Sequence, residues 1–419
     1  MDELDKFSEY AYKFIETICN DIGPRNSSSI QEKQANIWIQ TEWANYCERA
    51  EIEEFNTKPK LYPQGIFKVV FPIGVLAFFL NFLVYPYSIF ASVFILTAVT
   101  IFIVEFMFIN GILKFFFKKG VSSNVFGTIK PMKETKFKVI LDGHTDSAIE
   151  LNWGRIKKLS ILIVLAIFIG LYIIVQTVYP IVKLIIQSKI VGHNVKWNWF
   201  IFEISSYDFI FLPICFFLLL FYIALFLGMI SNKVVLGAND NLSGTAVTSA
   251  VAKYFSKNKL SNIELIIVST GSEEIGEIGA EYFVKEHPEF FENSFSVAFE
   301  CVGAGKNLFI VESDFMHQSK YSLKVIDNLE KAYEIYRKNR DNVIPIKRGS
   351  LAIGSSNANR YVKAGYESAF IIGQSEDAHW RPVGWHSRND TIENIDKKVI
   401  KDIIGTTIQF VKLLDEEYG

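Results

Sequence analysis

The chain has 419 residues, half of them apolar, with 37 phenylalanines, a mean hydropathy of +0.22 and a formal net charge of −2. That is too apolar for an ordinary soluble enzyme and, with 21% charged residues, too polar for a plain bundle of membrane helices, so a mosaic of the two is expected. The near-neutral charge leaves no nucleic-acid footprint, and the four scattered cysteines (Cys19, Cys47, Cys215, Cys301) form no CxxC pair and read as free thiols.

The first ten residues, MDELDKFSEY, have neither a basic n-region nor an apolar h-region, so no cleaved signal peptide is expected. Residues 1–50 look helical. Ile30 to Ala50 carries apolar residues at helical spacing, and Gly23-Pro24-Arg25 separates two helices. Ile52 to Phe55 reads as the start of a strand. Ile66 to about Phe117 is almost wholly apolar, long enough for two spans of about 20 residues each, broken near Tyr85-Pro86-Tyr87-Ser88. Glu105, inside the second span, reads as a packed acid rather than part of an ion path. Asn124–Lys130 and Lys136–Leu141 are strand-like, and the second runs into Asp142-Gly143-His144-Thr145-Asp146. Leu159 to Tyr179 is a third apolar span and Tyr207 to Ile230 a fourth. Between them Pro180 to Ser206 reads as a mixed loop whose Trp197 and Trp199 suit a membrane interface.

From Val234 onward the pattern is that of a soluble α/β protein. Helices are predicted at Leu242–Phe255, Gly276–His287, Tyr321–Arg337 and Lys397–Leu414, the last capped by Asp396. Strands are predicted at Ile263–Val268, Phe295–Phe299, Leu308–Val311 and Ala369–Ile372. The alternation predicts an α/β sheet covered on both faces. One domain is therefore expected from residues 1–63, 119–156 and 233–419, interrupted by two transmembrane helices in 64–118 and two more in 157–232. If the parts of that domain share a site, each insertion leaves and returns on the same side of the bilayer and crosses it an even number of times. Lysines and arginines such as Lys60, Lys68, Lys114, Lys118, Lys119, Arg155, Lys157 and Lys158 flank the spans on the domain side, against Lys183, Lys189 and Lys196 in the opposite loop. The positive-inside rule then gives a four-span protein with the domain and both termini in the cytoplasm.

His144 and Asp146 stand two apart at a strand end, where their side chains can point the same way and the acid can fix the imidazole tautomer. Asp240 lies in Gly237-Ala-Asn-Asp-Asn-Leu-Ser-Gly244, a strand-to-helix loop in which a carboxylate can bridge two cations; alone it would read as a helix cap. The adjacent Glu273 and Glu274 repel unless a cation neutralises one, so one can ligate while the other takes a proton from water. Glu300 ends an apolar strand and needs a partner, and His386 lies in the loop before the last helix. Together these supply two histidines, a bridging carboxylate, two further carboxylate ligands and one carboxylate as base. His193, His287, His317 and His379 lack such company and read as surface or interface residues.

The runs Gly143-His144-Thr145-Asp146-Ser147, Gly237–Gly244, Gly271-Ser272-Glu273-Glu274-Ile275-Gly276, Phe299-Glu300-Cys301-Val302-Gly303 and His386-Ser-Arg-Asn-Asp390-Thr391 closely resemble metallopeptidase family 28, the di-zinc aminopeptidases, glutamate carboxypeptidase and relatives. Ile18-Cys-Asn-Asp-Ile-Gly-Pro-Arg25 looks like the opening helix of that family. The resemblance covers residues 1–60, 120–154 and 234–419 and leaves out the insertions. It implies a zinc-exopeptidase-like mixed central sheet flanked by helices on both faces, with the four transmembrane helices inserted. It also implies two Zn²⁺ per chain: Asp240 between them, His144 and Glu300 on one, Glu274 and His386 on the other. By the same resemblance Asp146 orients His144. Glu273 is the general base, taking a proton from the attacking water and passing it to the leaving amine.

The activity so implied is that of a membrane-bound zinc exopeptidase, most simply an aminopeptidase, with short peptides and the lipid bilayer as partners and no nucleic acid. Two departures stand out. Glu300 stands where the family often has Asp, and Asn357 and Asn359 stand in Gly354–Asn359 where relatives often carry an acid. A substrate ammonium would there meet amides; Asn357, Asn359 and Arg360 are the expected substrate contacts. The alternatives are a glutaminyl cyclase, which uses one zinc and shares a Trp-His pair like Trp385-His386, a carboxypeptidase using one of Arg348, Arg360, Arg381 or Arg388, and an inactive membrane scaffold. The complete ligand set favours the peptidase.

Overall fold

The computed structural model describes residues 3–84, 86–108, 112–189, 195–199, 202–206, 208–229, 231–338, 340–376 and 381–418. His193, His379 and Tyr85 lie outside the described residues. The chain divides into two compact units, one of Met1–Pro59, Lys118–Glu150 and Asn232–Gly419, the other of Lys60–Phe117 and Leu151–Ser231.

In chain order the strands are β1 (Arg49–Thr57), β2 (Gly120–Ile129), β3 (Phe137–His144), β4 (Val195–Trp199), β5 (Phe202–Ser205), β6 (Ile263–Thr270), β7 (Ser294–Glu300), β8 (Asn307–Asp314), β9 (Ile346–Leu351) and β10 (Ser368–Gln374). In the first unit eight of them form one mixed sheet, ordered β1-β2-β6-β3-β7-β10-β8-β9. The central strands β6, β3, β7 and β10 run parallel, with antiparallel pairs β1/β2, β2/β6 and β10/β8. Because strand side chains alternate, the apolar residues of each central strand divide between two cores. Val139, Leu141, Leu265 and Ile267 face one core, which includes residues of the helices Glu3–Thr17, Ile30–Trp43, Ser243–Lys257, Leu323–Arg337 and Lys397–Glu417. Ile140, Ile266 and Val268 face the other, with Phe283, Phe290, Phe291 and Tyr361. Continuous apolar runs in β3 and β6 are what a strand buried on both faces requires.

The helix read over Ile30–Ala50 stops at Trp43, and Arg49 and Ala50 belong to β1. Its last turn unwinds through Asn45 N–H to Glu42 O (3.2 Å) and Tyr46 N–H to Trp43 O (3.1 Å), which frees the chain to join β2. β9 was not foreseen: Ile346-Lys-Arg-Gly-Ser-Leu351 has no apolar run, and its place at the sheet edge is decided by backbone pairing with β8.

Each insertion leaves and returns on neighbouring residues. β1 and β2 pair from Arg49 opposite Thr128 to Thr57 opposite Gly120, so residues 58–119 extend from the open end of a hairpin. Val235 N–H bonds Ala148 O (2.9 Å) and Glu150 N–H bonds Lys233 O (2.7 Å), with Ile149 bridged to Val234 between them.

The second unit contains the helices Gln64–Leu80, Phe90–Phe108, Leu159–Lys189 and Asp208–Met229 and the hairpin β4/β5. Among the described residues three helices are long and apolar enough to cross a membrane: Tyr87–Phe106, Leu159–Ile186 and Asp208–Met229, with mean hydropathies of 2.4, 2.8 and 2.9. The first expected span is shorter, 17 residues from Gln64 to Leu80 with Pro72 inside, or about 26 Å at 1.5 Å per residue. The expected loop from Pro180 is corrected as well. The helix continues through Pro180 to Lys189, since in apolar surroundings losing one hydrogen bond costs less than unpairing a whole segment of backbone, and Trp197 and Trp199 fall on β4. Lys183 is no loop charge: its buried ammonium donates to Asn81 O (2.9 Å) and Asp208 Oδ2 (3.1 Å), and the Tyr179 hydroxyl donates to Asp208 too. Glu105 is packed as expected, its Oε1 accepting the Leu113 N–H at 2.7 Å.

His287 is not a surface residue. Its ring lies among Phe126, Phe283 and Phe290, and Nε2 is 2.7 Å from Glu53 Oε2 on β1. The hydrogen bond to Glu53 lifts its pKa above the ordinary 6.5 against the opposing effect of burial. A raised pKa means the fold binds the proton more tightly, so this stabilisation is whole below about pH 6.5 and fades as the pH climbs through the folded-state value. His287→Phe is therefore expected to lower the apparent melting temperature of the purified protein more at pH 6 than at pH 9; an equal loss at both would remove the charge from the account.

Candidate metal centre

The parallel strands β3 and β7 end at His144 and Glu300, and β6 ends at Thr270, just before the turn that carries Glu273 and Glu274. Parallel neighbours finish at the same edge of a sheet, the usual place for a site in such folds. The Asp240 loop closes on that edge from the start of helix Ser243–Lys257. Gly143 permits this closure: a Cβ there would lie 2.4 Å from the Thr245 backbone nitrogen. Gly237, at φ +66°, supplies the left-handed turn that opens the loop. Wholly buried Arg25 joins the two segments, its guanidinium donating to Thr145 O (2.9 Å), Leu236 O (2.9 Å), Gly237 O (3.1 Å) and Gly23 O (2.7 Å).

The six residues expected to ligate or act as base do converge. Asp240 faces a different histidine with each oxygen: Oδ1 is 3.5 Å from His144 Nε2 and Oδ2 is 3.4 Å from His386 Nε2. Glu300 Oε2 lies 3.6 Å from His144 Nε2, and Glu274 Oε2 lies 3.1 Å from His386 Nε2. Glu273 Oε2 approaches His144 Nε2 at 3.6 Å and is the most exposed of the four acids, at 13%. His144, Asp240 and Glu300, and separately Asp240, Glu274 and His386, each present ligand atoms within 4.8 Å of one another. Asp240 Oδ2, Glu274 Oε1 and Glu300 Oε1 are buried without a hydrogen-bond partner. Buried carboxylate oxygens with no donor are costly unless a cation meets them, so this donor set fits divalent metal.

The remaining acids have different partners. Asp146 accepts two successive backbone N–H groups, Glu273 at Oδ1 (2.9 Å) and Glu274 at Oδ2 (3.1 Å). The nearest group to His144 Nδ1 is the Asp146 carbonyl at 3.0 Å, with the carboxylate at 3.5 Å, so Asp146 orients the ring chiefly through its backbone and positions the glutamates with its side chain. Asp390 does the same on the other side, accepting from Asn239 N (2.6 Å) and Asp240 N (3.0 Å). Asn241 donates to Glu300 Oε2 (3.0 Å) and Phe299 O (2.6 Å). Glu32 accepts from Ser272 N (3.1 Å) and Ser28 N (2.6 Å), bracing the turn before Glu273. The sequence signals for these supports were faint. Asp390 and Asn241 sit inside the matched runs, Arg25 ends the opening helix, and Ser29-x-x-Glu32 reads as a helix cap.

Asn357, Asn359 and Arg360 are not brought into the cluster. Asn357 is fully buried and donates to Thr270 Oγ1 (2.7 Å). Asn359 joins Ser319 to Glu277, at 2.6 Å each, and Arg360 pairs with Glu277 (3.0 Å) and Glu281 (3.1 Å). The polar ends of these three are taken up by protein partners away from the two histidines. His317 is likewise buried rather than superficial, with Nε2 3.6 Å from Glu277 Oε1.

Residues 226–411 match the model of Peptidase family M28. The matched segment contains Asp240, Glu273, Glu274, Glu300 and His386; His144, at the end of β3, and Asp146, just after it, lie ahead of that segment. The chain is 30% identical over 166 residues to Aminopeptidase YwaD of Bacillus subtilis (strain 168), a match covering 39% of this chain and 34% of that one, about a third of the relative's length. In structure the chain is similar to BSAP, a zinc aminopeptidase from Bacillus subtilis, with TM-score 0.56, 14% identity and coverage of 97% and 95% of the two chains. It is also similar to Porphyromonas gingivalis glutaminyl cyclase, with TM-score 0.55, 13% identity and coverage of 97% and 98%. At such identities the likeness establishes the fold: a mixed α/β sheet with flanking helices.

The crowding of acids sets the protonation of the centre. Burial, with the neighbouring Asp240 and Glu274 adding to it, pushes Glu300 up to about 7 against the pull of His144, and burial beside Asp240 likewise lifts Asp390 to about 7. Burial also raises Glu273 and Glu274. Burial disfavours the His144 cation, yet Glu273, Asp146, Asp240 and Glu300 together outweigh it, and Glu274 does the same for His386. Asp240 alone moves down, held ionised against burial by the two histidines. Raised acids and raised histidines act in the same sense: the fold binds protons more tightly than the unfolded chain, so without metal its stability falls as pH rises toward those values. Chelator-treated protein is thus expected to melt at a lower temperature at pH 8 than at pH 6, and added zinc to reverse the order while releasing protons into weakly buffered solution. Zinc uptake without proton release would contradict this.

Proposed function

We propose that this chain is a membrane-bound, zinc-dependent exopeptidase, most simply an aminopeptidase hydrolysing short peptides. The observation that carries the reading is Asp240, whose two oxygens face His144 and His386 separately, each histidine accompanied by its own glutamate. Two ions are inferred: one held by His144, Asp240 and Glu300, the other by Asp240, Glu274 and His386. Zinc in such sites polarises a carbonyl and brings the pKa of water to about 7.

The chain's own residues supply the remainder. Glu273 is the least buried of the four acids, its backbone fixed by Asp146, and its carboxylate can take a proton from water and return it to the leaving amine. Its burial favours holding that proton between the two steps. Arg25, Gly143 and Asp390 keep the ligand-bearing loops in register.

The membrane assignment is supported by three helices of sufficient length and hydropathy. Residues 58–119 leave and return on paired strands, which requires an even number of crossings, so Gln64–Leu80 is the partner of Tyr87–Phe106; 17 residues is the lower limit for a span. Lys183 lies within the helix Leu159–Lys189 and not in the loop opposite the domain, so it drops out of the count of loop lysines on that side, which supports the orientation with the domain and both termini in the cytoplasm.

Glutaminyl cyclisation is the second reading, favoured by the fold likeness to a cyclase and by Trp385 stacked on His386 at 4.2 Å. Metal stoichiometry separates the two, because the peptidase reading requires two ions per chain. Glu273→Gln is expected to keep its zinc and lose turnover by about 10²- to 10⁴-fold. Peptides with a blocked amino end should resist cleavage while carboxy-blocked ones are cut; the reverse preference, or full activity in Glu273→Gln, would overturn the assignment.

A further inference from the structure

The segment where the chain leaves and re-enters the first unit also fastens its second histidine. Ser147 to Glu150 runs beside Lys233 to Leu236, held by the backbone bonds from Val235 to Ala148 and from Glu150 to Lys233 and by the Ser147 hydroxyl on Val235 O (2.9 Å). Glu150 is the last residue before the chain passes into the second unit. It is 1% exposed, and Arg388 meets it in a two-pronged pair, Nε to Oε1 at 3.0 Å and Nη2 to Oε2 at 3.3 Å. Arg388 is two residues beyond His386, and Asp390, two residues further, holds the Asp240 and Asn239 amides. The loop from His386 to Asp390 is therefore anchored at two points: on the backbone of the shared carboxylate and on this neck. His386 has φ +46°, a conformation a non-glycine residue keeps only when its surroundings enforce it. His144 differs, since it ends a central strand and bonds the Asp146 carbonyl.

We propose that Glu150 and Arg388 are positioning residues for the metal that Asp240, Glu274 and His386 would hold, so that occupancy of this one position depends on the paired neck. The inference rests on the two-metal reading above. A planar guanidinium on a buried carboxylate, met by two parallel N–H groups, fixes both distance and direction. The larger effect falls on one ion because Arg388 lies two residues from His386, whereas His144 ends strand β3 and bonds the Asp146 carbonyl. Partners of this kind, outside the ligands themselves, commonly change metal affinity by 10- to 100-fold.

The test is zinc titration of chelator-stripped, detergent-solubilised full-length chain against a competing chromophoric chelator, for the unaltered chain, Arg388→Gln, Glu150→Gln and Arg388→Lys. The two glutamine variants are expected to hold one of two ions about 10- to 100-fold more weakly and the other unchanged, with Arg388→Lys, which keeps the charge without the two-pronged geometry, recovering only part of the loss. Arg388 is 55% exposed on its side chain, so Arg388→Gln should fold even if Glu150→Gln does not. The melting temperature of the zinc-free protein separates positioning from folding: near-unchanged midpoints with selective loss of one ion support the proposal. Equal weakening of both ions with a fallen midpoint overturns it, leaving a structural role. Two ions in the unaltered chain and undiminished affinity in Arg388→Gln overturn it alone. Fewer than two ions in the unaltered chain overturn the two-metal reading and this proposal with it.

Discussion

Negative charge packed into a small buried volume is the constraint on which the centre depends. Like charges about 4 Å apart repel by roughly 4 kcal/mol even at an effective dielectric of 20, and Asp240, Glu273, Glu274 and Glu300 all approach the same two imidazoles. The surroundings divide these and the adjacent acids into two kinds. Asp146 and Asp390 each accept two consecutive backbone amides, and those amides belong to the glutamate pair and the Asp240 loop. Asp240, Glu274 and Glu300 each keep a buried oxygen without a donor. Acids of the first kind brace the loops, and acids of the second kind keep oxygens that a cation could meet. Arg25 contributes positive charge from behind, yet its hydrogen bonds go to carbonyls, so it fastens the loops together without occupying the carboxylates.

The same economy explains how the insertions are tolerated. Each begins and ends on hydrogen-bonded neighbours, β1 with β2 for one and Ala148–Glu150 with Lys233–Val235 for the other. A long loop whose ends already touch adds only a slowly growing closure entropy, so the sheet forms much as it would with a short turn. Within the second unit polar groups are paired locally: Lys183 with Asp208, Tyr172 with the Gly74 carbonyl (2.8 Å), and Tyr222 with the Val70 carbonyl (3.1 Å) near Pro72. Apolar surroundings demand such pairing.

Much of the centre was legible because metal chemistry limits the residue types and strand ends limit their placement. His144, Asp240, Glu274, Glu300 and His386 could be picked out as an ordered set, and Glu273 as their neighbour. Strands with continuous apolar runs were equally plain. The partners of Asn357, Asn359 and Arg360 were not legible, because whether a polar side chain faces a cleft or a buried partner depends on what packs over it. β9 escaped notice because an edge strand needs only backbone pairing, and the helix through Pro180 because proline's cost depends on its surroundings.

By itself the sequence determined which acids and histidines form the candidate centre, the two-sided burial of the sheet and the presence of apolar helices, since each is written in residue type and period. Tertiary structure alone decided which oxygen of Asp240 meets which histidine, that Asp146 holds the glutamates' amides rather than only the imidazole, and that Glu150 reaches Arg388 across 238 positions. Those are relations among groups far apart in the chain, and distance in space is set by packing, which no local pattern records.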